Sequence, residues 1–285
     1  MKKPLIGAFS ALLLAGATAL AGAVPASAAT VATAPAKAAP AVTVNFAGTV
    51  ALDDCSGSVV RMPNSVASDP ALVLTNGHCL ETGMPGPGEV ITDQPSSRTF
   101  TLLSASGGRL TTLRANKVVY STMTDTDVTL YQLTTTYSSI KSRYGISPLT
   151  ISAAHPVAGA AIKVVSGYWK TVYSCNVDGF VYRLEEGDWT WKDSVRYTST
   201  CNTIGGTSGS PVIDTSSGLV VAVNNTGNEN GETCTVDNPC EVDQNGNVTV
   251  HQGTNYAEET YGIPACFAPG NQLDLTLSGC VLPRP

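Results

Sequence analysis

The absences in this chain narrow its class before any motif does. Past residue 28 no stretch is apolar for long enough to span a bilayer, so the mature chain is expected to be soluble, with no membrane partner. Only three His occur, none in a close pair, and there is no Cys-x-x-Cys, so the ligand spacing of a local zinc site is missing and no metal is expected. Basic residues are scarce at 16 Lys and Arg against 22 Asp and Glu. Removing residues 1–28, which hold two Lys and no acid, leaves 14 against 22 and a formal charge of −8. That sign disfavours nucleic acid and acidic lipid as partners. No internal repeat is visible, and no amphipathic helical pattern separates the strand-like runs described below.

At the start, Lys2 and Lys3 precede an Ala/Leu/Gly-rich run from Leu5 to Val24, and the run ends at Pro25-Ala26-Ser27-Ala28. A short basic segment, an apolar stretch and an Ala-x-Ala close predict a signal peptide over 1–28 and a secreted, extracellular protein. Residues 29–41 are Ala, Pro, Thr, Val and one Lys, the composition of a spacer or short pro-segment that buries no core. The eight Cys, at 55, 79, 175, 201, 234, 240, 266 and 280, all follow the signal. An even count in an exported chain predicts four disulfides.

From Val42 onward, short β-rich runs alternate with Gly, Pro, Asn, Asp and Ser clusters. Val42–Leu52, Ser56–Arg61, Ala71–Leu74, Arg98–Ser104, Leu110–Ser121 and Val128–Leu133 make one set. Ala160–Trp169, Thr171–Cys175, Phe180–Leu184, Ser194–Tyr197, Pro211–Ile213 and Leu219–Val223 make another. Two six-stranded antiparallel β-barrels fit, over about 42–146 and 147–285, joined within 134–155. Asn224 to Asn247 reads as a polar surface loop.

Three segments carry possible chemistry. Gly205-Gly206-Thr207-Ser208-Gly209-Ser210-Pro211 leads into apolar Val212-Ile213, so it predicts a tight turn entering a strand. Acyl transfer needs a hydroxyl on such a turn, with backbone N–H groups converging on the developing oxyanion; Ser208 and the Gly206 N–H suit that. Ala71-Leu-Val-Leu-Thr-Asn-Gly-His78-Cys79 puts a candidate general base directly after an apolar strand. In Thr124-Asp125-Thr126-Asp127-Val128, Asp127 directly precedes an alternating strand and is favoured over Asp125 as the carboxylate that fixes the imidazole tautomer.

With these residues the chain resembles the chymotrypsin-like (trypsin-like) serine proteases. Thr75-Asn76-Gly77-His78-Cys79, Asp127-Val128-Thr129-Leu130 and Gly206-Thr207-Ser208-Gly209-Ser210-Pro211 stand where that family has Thr-Ala-Ala-His-Cys, Asp-Ile-Ala-Leu and Gly-Asp-Ser-Gly-Gly-Pro, in the same order. The resemblance covers about residues 45–225. It implies the two-barrel fold with its active site between the barrels, a triad of His78, Asp127 and Ser208, and an oxyanion hole from the Gly206 and Ser208 N–H groups. It also implies a Cys55–Cys79 disulfide beside His78. Family analogy and proximity favour Cys175–Cys201, Cys234–Cys240 and Cys266–Cys280 as the remaining pairs.

Around the nucleophile, Thr203 and Ser210 are similar to the bacterial glutamyl endopeptidases, which select acidic P1 residues. Their glutamate-binding His aligns with Asn224, however, and the acidic pocket floor of trypsin-like enzymes aligns with Asn202. Asn202, Thr203 and Asn224 are therefore the candidate pocket residues, with P1 open. Thr207 replaces the Asp that pairs with a freshly cut N-terminus, so that activation route is not expected. The function implied is a secreted serine endopeptidase acting on protein or peptide substrates as a monomer, without cofactor. A catalytically blocked protease-like binding module, closed by the loop 224–247 or the tail, and an esterase using the same triad are the other readings. A Ser-before-His chain order, as in the α/β-hydrolases, is absent.

Overall fold

The computed structural model describes residues 42–285; the signal peptide and spacer expected over 1–28 and 29–41 lie outside the described residues. The first barrel is built from β1 (Thr49–Ala51), β2 (Ser56–Arg61), β3 (Pro70–Thr75), β4 (Val90–Pro95), β5 (Thr99–Leu103), β6 (Arg109–Thr122) and β7 (Val128–Thr136). Its strand order β1-β5-β6-β7-β3-β2 closes on itself through β1–β2 pairing, and β4 adds to β6 from outside. After α1 (Tyr137–Tyr144) and β8 (Leu149–Thr150), which pairs parallel with β2, the second barrel begins. It comprises β9 (Ala161–Ser166), β10 (Thr171–Glu186), β11 (Trp189–Tyr197), β12 (Pro211–Asp214), β13 (Val220–Gly227) and β16 (Asn255–Glu259), closed through β10–β11 pairing. The hairpin β14 (Cys240–Val242) and β15 (Val248–Thr249) extends β10. The fold is two antiparallel six-stranded barrels, as expected, although the sixth strand of the second barrel is β16, from a segment outside the strand-like runs.

The period-2 alternation of the strands explains how two cores and a seam arise from one pattern. In β2 and β3, Val59 and Val73 point into the first barrel with Phe100, Leu102 and Leu113. Their neighbours Val60, Leu72 and Leu74 point the other way and pack against Val165, Ile213, Val220 and Val223 of the second barrel. Ile162, Val164, Val195, Val212 and Ala222 fill the second barrel's interior. Because these strands are apolar on both faces, each fully buried Val or Leu contributes about 1.5–3 kcal/mol whichever core it enters.

Three features depart from the sequence expectations. The helix α1 stands between the strand sets where no amphipathic helix was expected. It spans eight residues, Thr136 caps it by accepting from Ser139 N at 3.2 Å, and Gly145 ends it at φ +72°. Only Tyr137 and Ile140 are buried, too few turns for a period to register. Runs Thr171–Cys175 and Phe180–Leu184 are one strand, β10, interrupted only by a register shift between Val177 and Gly179. Finally, the second-barrel span 147–285 is too long at its end. Past Thr260 the chain crosses to the first barrel, where Ile263, Phe267 and Leu282 pack against the Val60–Leu72–Tyr120 face. Asn271 Nδ2 donates to Pro70 O at 2.8 Å and to Tyr137 Oη at 2.9 Å, and Tyr120 Oη donates to Pro283 O at 3.0 Å.

All four expected disulfides are present: Cys55–Cys79, Cys175–Cys201, Cys234–Cys240 and Cys266–Cys280. Among the described residues no helix is long and apolar enough to cross a membrane. The Cys266–Cys280 bridge closes a loop of sequence separation 14, from which Phe267 packs into the inter-barrel seam. Replacing both cysteines with Ala is expected to lower stability by about 3 kcal/mol, read as an earlier urea midpoint with a higher m-value, because the denatured chain without the bridge is more expanded.

Candidate active site

His78 and Asp127 are delivered by adjacent strands. β3 ends at Thr75 and β7 begins at Val128, paired in register Thr75 to Thr129, so the residues just beyond these ends meet at one rim of the first barrel. Asn76 Nδ2 donates to Asp127 O at 2.8 Å, and His78 N donates to Asp127 Oδ1 at 3.0 Å. The other carboxylate oxygen, Oδ2, lies 2.7 Å from His78 Nδ1. Asp127 is wholly buried, whereas its sequence competitor Asp125 is turned outward at φ +61° and pairs with Lys192 at 2.7 Å. The Cys55–Cys79 bridge fixes the chain immediately after His78.

Ser208 comes from the second barrel, on the turn that leads into β12. Ser56 N donates to Ser208 O at 2.7 Å, and Ser56 Oγ donates to Gly206 O at 3.1 Å, so the turn is held against the first barrel. Gly209, at φ +79°, lies where a Cβ would overlap the Ser56 carbonyl and Thr75 Oγ1. Gly206, at φ +86°, leaves no room for a Cβ either, since Tyr168 Cδ1 would stand at 2.8 Å and Trp169 Nε1 at 3.0 Å. Within the turn Thr207 N donates to Ile204 O and Ser210 N to Thr207 O. The N–H groups of Gly206 and Ser208 have no acceptor among the described residues. Two donors flanking the Ser208 side chain are thus free for an incoming oxyanion. Ser208 Oγ donates to Asn225 O at 3.3 Å instead of to His78. Such contacts are commonly long or misaligned before substrate arrives.

His78, Ser208, Asn202, Thr203 and Asn224 all line one cleft of about 340 Å³. Their freedom differs. Asn224 is buried, donating to Thr207 Oγ1 at 3.1 Å and accepting from Tyr197 Oη at 3.2 Å, so its amide is fully engaged. Thr203 Oγ1 donates to Asn255 Oδ1 at 2.9 Å, and Asn255 Nδ2 donates to Cys201 O at 3.1 Å. Asn202 is exposed.

Several cleft residues carried no recognisable signal in the sequence. Trp189 Nε1 donates to Pro85 O at 2.9 Å and Trp191 Nε1 to Met123 O at 3.1 Å, bridging the barrels along the cleft. Glu186 Oε1 accepts from Asp237 N at 2.9 Å and pins the stapled loop to the end of β10. The loop's Glu229, Val236 and Asp237 reach the cleft rim without separating His78 from Ser208. Asn225, whose Nδ2 donates to Glu258 Oε1 at 3.1 Å, is positioned by long-range pairing that no local pattern encodes.

Burial lowers the His78 pKa, but the Asp127 carboxylate, through charge and hydrogen bond, outweighs it and leaves the imidazole above its usual value. Burial raises Glu186, and burial also lifts Glu258 to about 8, so Glu258 is largely neutral near pH 7 behind Asn225.

A family model, the trypsin-like peptidase domain, matches residues 55–223. No curated protein sequence matches the chain. Among solved structures, the MamO protease domain from Magnetospirillum magneticum is similar at 14% identity and TM-score 0.46, covering 75% of this chain and 92% of that one. The active form of the Rv3671c protease from M. tuberculosis is similar at 17% identity and TM-score 0.44, covering 83% and 82%. Nocardiopsis protease follows at 14% identity and TM-score 0.40, covering 76% and 93%.

Because charge from Asp127 opposes burial at His78, Asp127→Asn is expected to move the imidazole titration from above 6.5 to below it. The measurement is the His78 ring resonance followed by NMR against pH in a Ser208→Ala background. A raised folded pKa also stabilises the fold below 6.5, and that contribution is lost as pH rises through the folded value, so the stability profile of Asp127→Asn is expected to lack this loss.

Proposed function

The chain belongs to the trypsin-like peptidase family, and we propose that it is a secreted serine endopeptidase whose catalytic triad is His78, Asp127 and Ser208. The observation that carries this reading is the 2.7 Å contact between His78 Nδ1 and the buried Asp127 carboxylate, in the same cleft as Ser208. With Nδ1–H committed to Asp127, Nε2 is left unprotonated to act as base. Ser208 Oγ attacks a peptide carbonyl carbon as Nε2 takes its proton, and the Gly206 and Ser208 N–H groups bind the resulting oxyanion. Collapse breaks the C–N bond, and His78 returns the proton to the leaving amine. Water, deprotonated by His78, then releases the acyl group from Ser208.

Secretion is supported by four disulfides, the signature of a chain oxidised outside the reducing cytosol, together with the leader-like first 28 residues. Thr207 supports self-contained activation. Its hydroxyl donates to Ile204 O at 2.5 Å and accepts from Asn224, so no new N-terminal amine is needed to hold the turn. The segments flanking Ser208, residues 202–205 and 224–228, carry amides, two hydroxyls, Ile204 and glycines, while Glu186, Glu229 and Asp237 line the same cleft and no Lys or Arg does. An anionic P1 side chain would therefore lose its hydration without meeting a cation.

A fluorophosphonate probe is expected to label Ser208 and nothing in Ser208→Ala, with the adduct located by mass spectrometry. Asp127→Asn is expected to lower kcat by about 10⁴-fold near neutral pH. Failure to label folded protein would favour the binding-module reading, and cleavage of esters without peptides the esterase reading. In a mixed peptide library, uncharged P1 residues are expected to exceed Asp and Glu by at least about tenfold in kcat/KM.

A further inference from the structure

On the second barrel, apart from the residues that line the cleft, three titratable side chains from distant parts of the chain converge. His155 sits in the connection before β9, Asp193 in β11 and Glu259 at the end of β16. His155 Nε2 lies 3.0 Å from Asp193 Oδ2 and 3.0 Å from Glu259 Oε1. The imidazole is held from both sides by Phe180, edge-on at 4.5 Å, and by Tyr261 at 5.0 Å.

The proton count is the informative feature. His155 Nδ1 is 2.7 Å from the Pro156 carbonyl oxygen, which can only accept, so Nδ1 carries a proton. A neutral ring then presents a bare Nε2 lone pair to two carboxylates. Glu259 makes the arrangement costlier: its side chain is only 5% exposed, and apart from His155 Nε2 no polar group among the described residues is hydrogen-bonded to either oxygen. Nδ1–H donation to a backbone carbonyl with Nε2 facing carboxylates is how protein metal sites orient an imidazole.

We propose that His155, Asp193 and Glu259 bind one divalent transition-metal ion, best suited to Zn²⁺, that staples the 153–160 connection to β11 and β16. An imidazole with two carboxylates is a borderline-to-hard donor set that suits Zn²⁺ better than Ca²⁺, which takes six to eight oxygens. Zinc bond lengths of about 2.0–2.2 Å put tetrahedral donors about 3.4 Å apart, so these donors need to spread by only a few tenths of an ångström. The fourth position would take water, since His155 and Asp193 are 38% and 44% exposed and give the ion a way in. The one departure from ordinary strand geometry here, Asp193 at φ +58°, turns its carboxylate toward His155.

The test uses the whole mature chain carrying Ser208→Ala, stripped with a chelator and dialysed against Zn²⁺ at pH 7.5, with bound metal counted by mass spectrometry. One Zn²⁺ per chain is expected, with a higher Tm and with affinity at least about tenfold weaker in His155→Ala and in the isosteric Glu259→Gln. Absence of Zn²⁺ binding overturns the proposal. So does unchanged affinity in both variants, which would place the ion elsewhere, for instance at His78, and so does Ca²⁺ binding in preference to Zn²⁺. Should His155→Ala prove unfolded, Glu259→Gln and Asp193→Asn change charge without volume and decide the same question.

Discussion

Two hydrogen bonds from Ser56 join the halves of the candidate site, N to Ser208 O at 2.7 Å and Oγ to Gly206 O at 3.1 Å, between the first barrel and the turn before β12. Each barrel alone presents an incomplete arrangement, an imidazole with its carboxylate on one side and a hydroxyl with free N–H donors on the other. Ser56 is also next to Cys55, which is bridged to Cys79, which follows His78. The path from Ser208 to His78 thus runs through one backbone hydrogen bond, one disulfide and two peptide links. A displacement of the turn is transmitted along that path and not absorbed by loops. This is why Gly209 admits no side chain: a Cβ there would overlap the Ser56 carbonyl and separate the two surfaces.

The strand pattern and the three motifs were legible because each is local. Val59/Val60 and Val73/Leu72 read as strands from alternation and β-branching alone, and His78, Asp127 and Ser208 stand in order beside those strands. Even the choice of Asp127 over Asp125 came from its place at the head of β7, and burial agrees with it. What stayed hidden is long-range. The course of the chain past Thr260 onto the first barrel depends on Asn271 finding Pro70 and Tyr137 some 200 and 134 positions earlier. The helix α1 is too short to show a period, and its signals, a Thr cap and a closing Gly, are weak by themselves.

The polar interior follows the same division. Asn224, aligned by sequence with a specificity position, bonds to Thr207 and Tyr197 and so holds the turn that carries Ser208. Asn225 and Glu258 form a second layer: Glu258 accepts from Ser194 Oγ at 2.9 Å and from Asn225 Nδ2, and the Asn225 carbonyl receives the Ser208 hydroxyl. With burial lifting Glu258 to about 8, this layer adds little negative charge next to Asp127 near neutral pH. A charged Glu258 would compete with Asp127 for the developing imidazolium, whereas a neutral one leaves Asp127 as the carboxylate His78 responds to.

Strand alternation then links the two polar clusters of the second barrel. Ser194 and Glu258 face Asn225, while their immediate neighbours Asp193 and Glu259 face His155. A spacing rule for metal ligands cannot find the outer cluster, because its members lie 38 and 66 positions apart in sequence and meet only through β11–β16 pairing. The scarcity of His that argued against a local zinc motif therefore says nothing about a site assembled by the barrel. Whatever holds Asp193 and Glu259 together on the outside also fixes the register of β11 against β16, and with it the position of Ser194 and Glu258 behind the nucleophile. The two clusters share a backbone, so ordering one constrains the other.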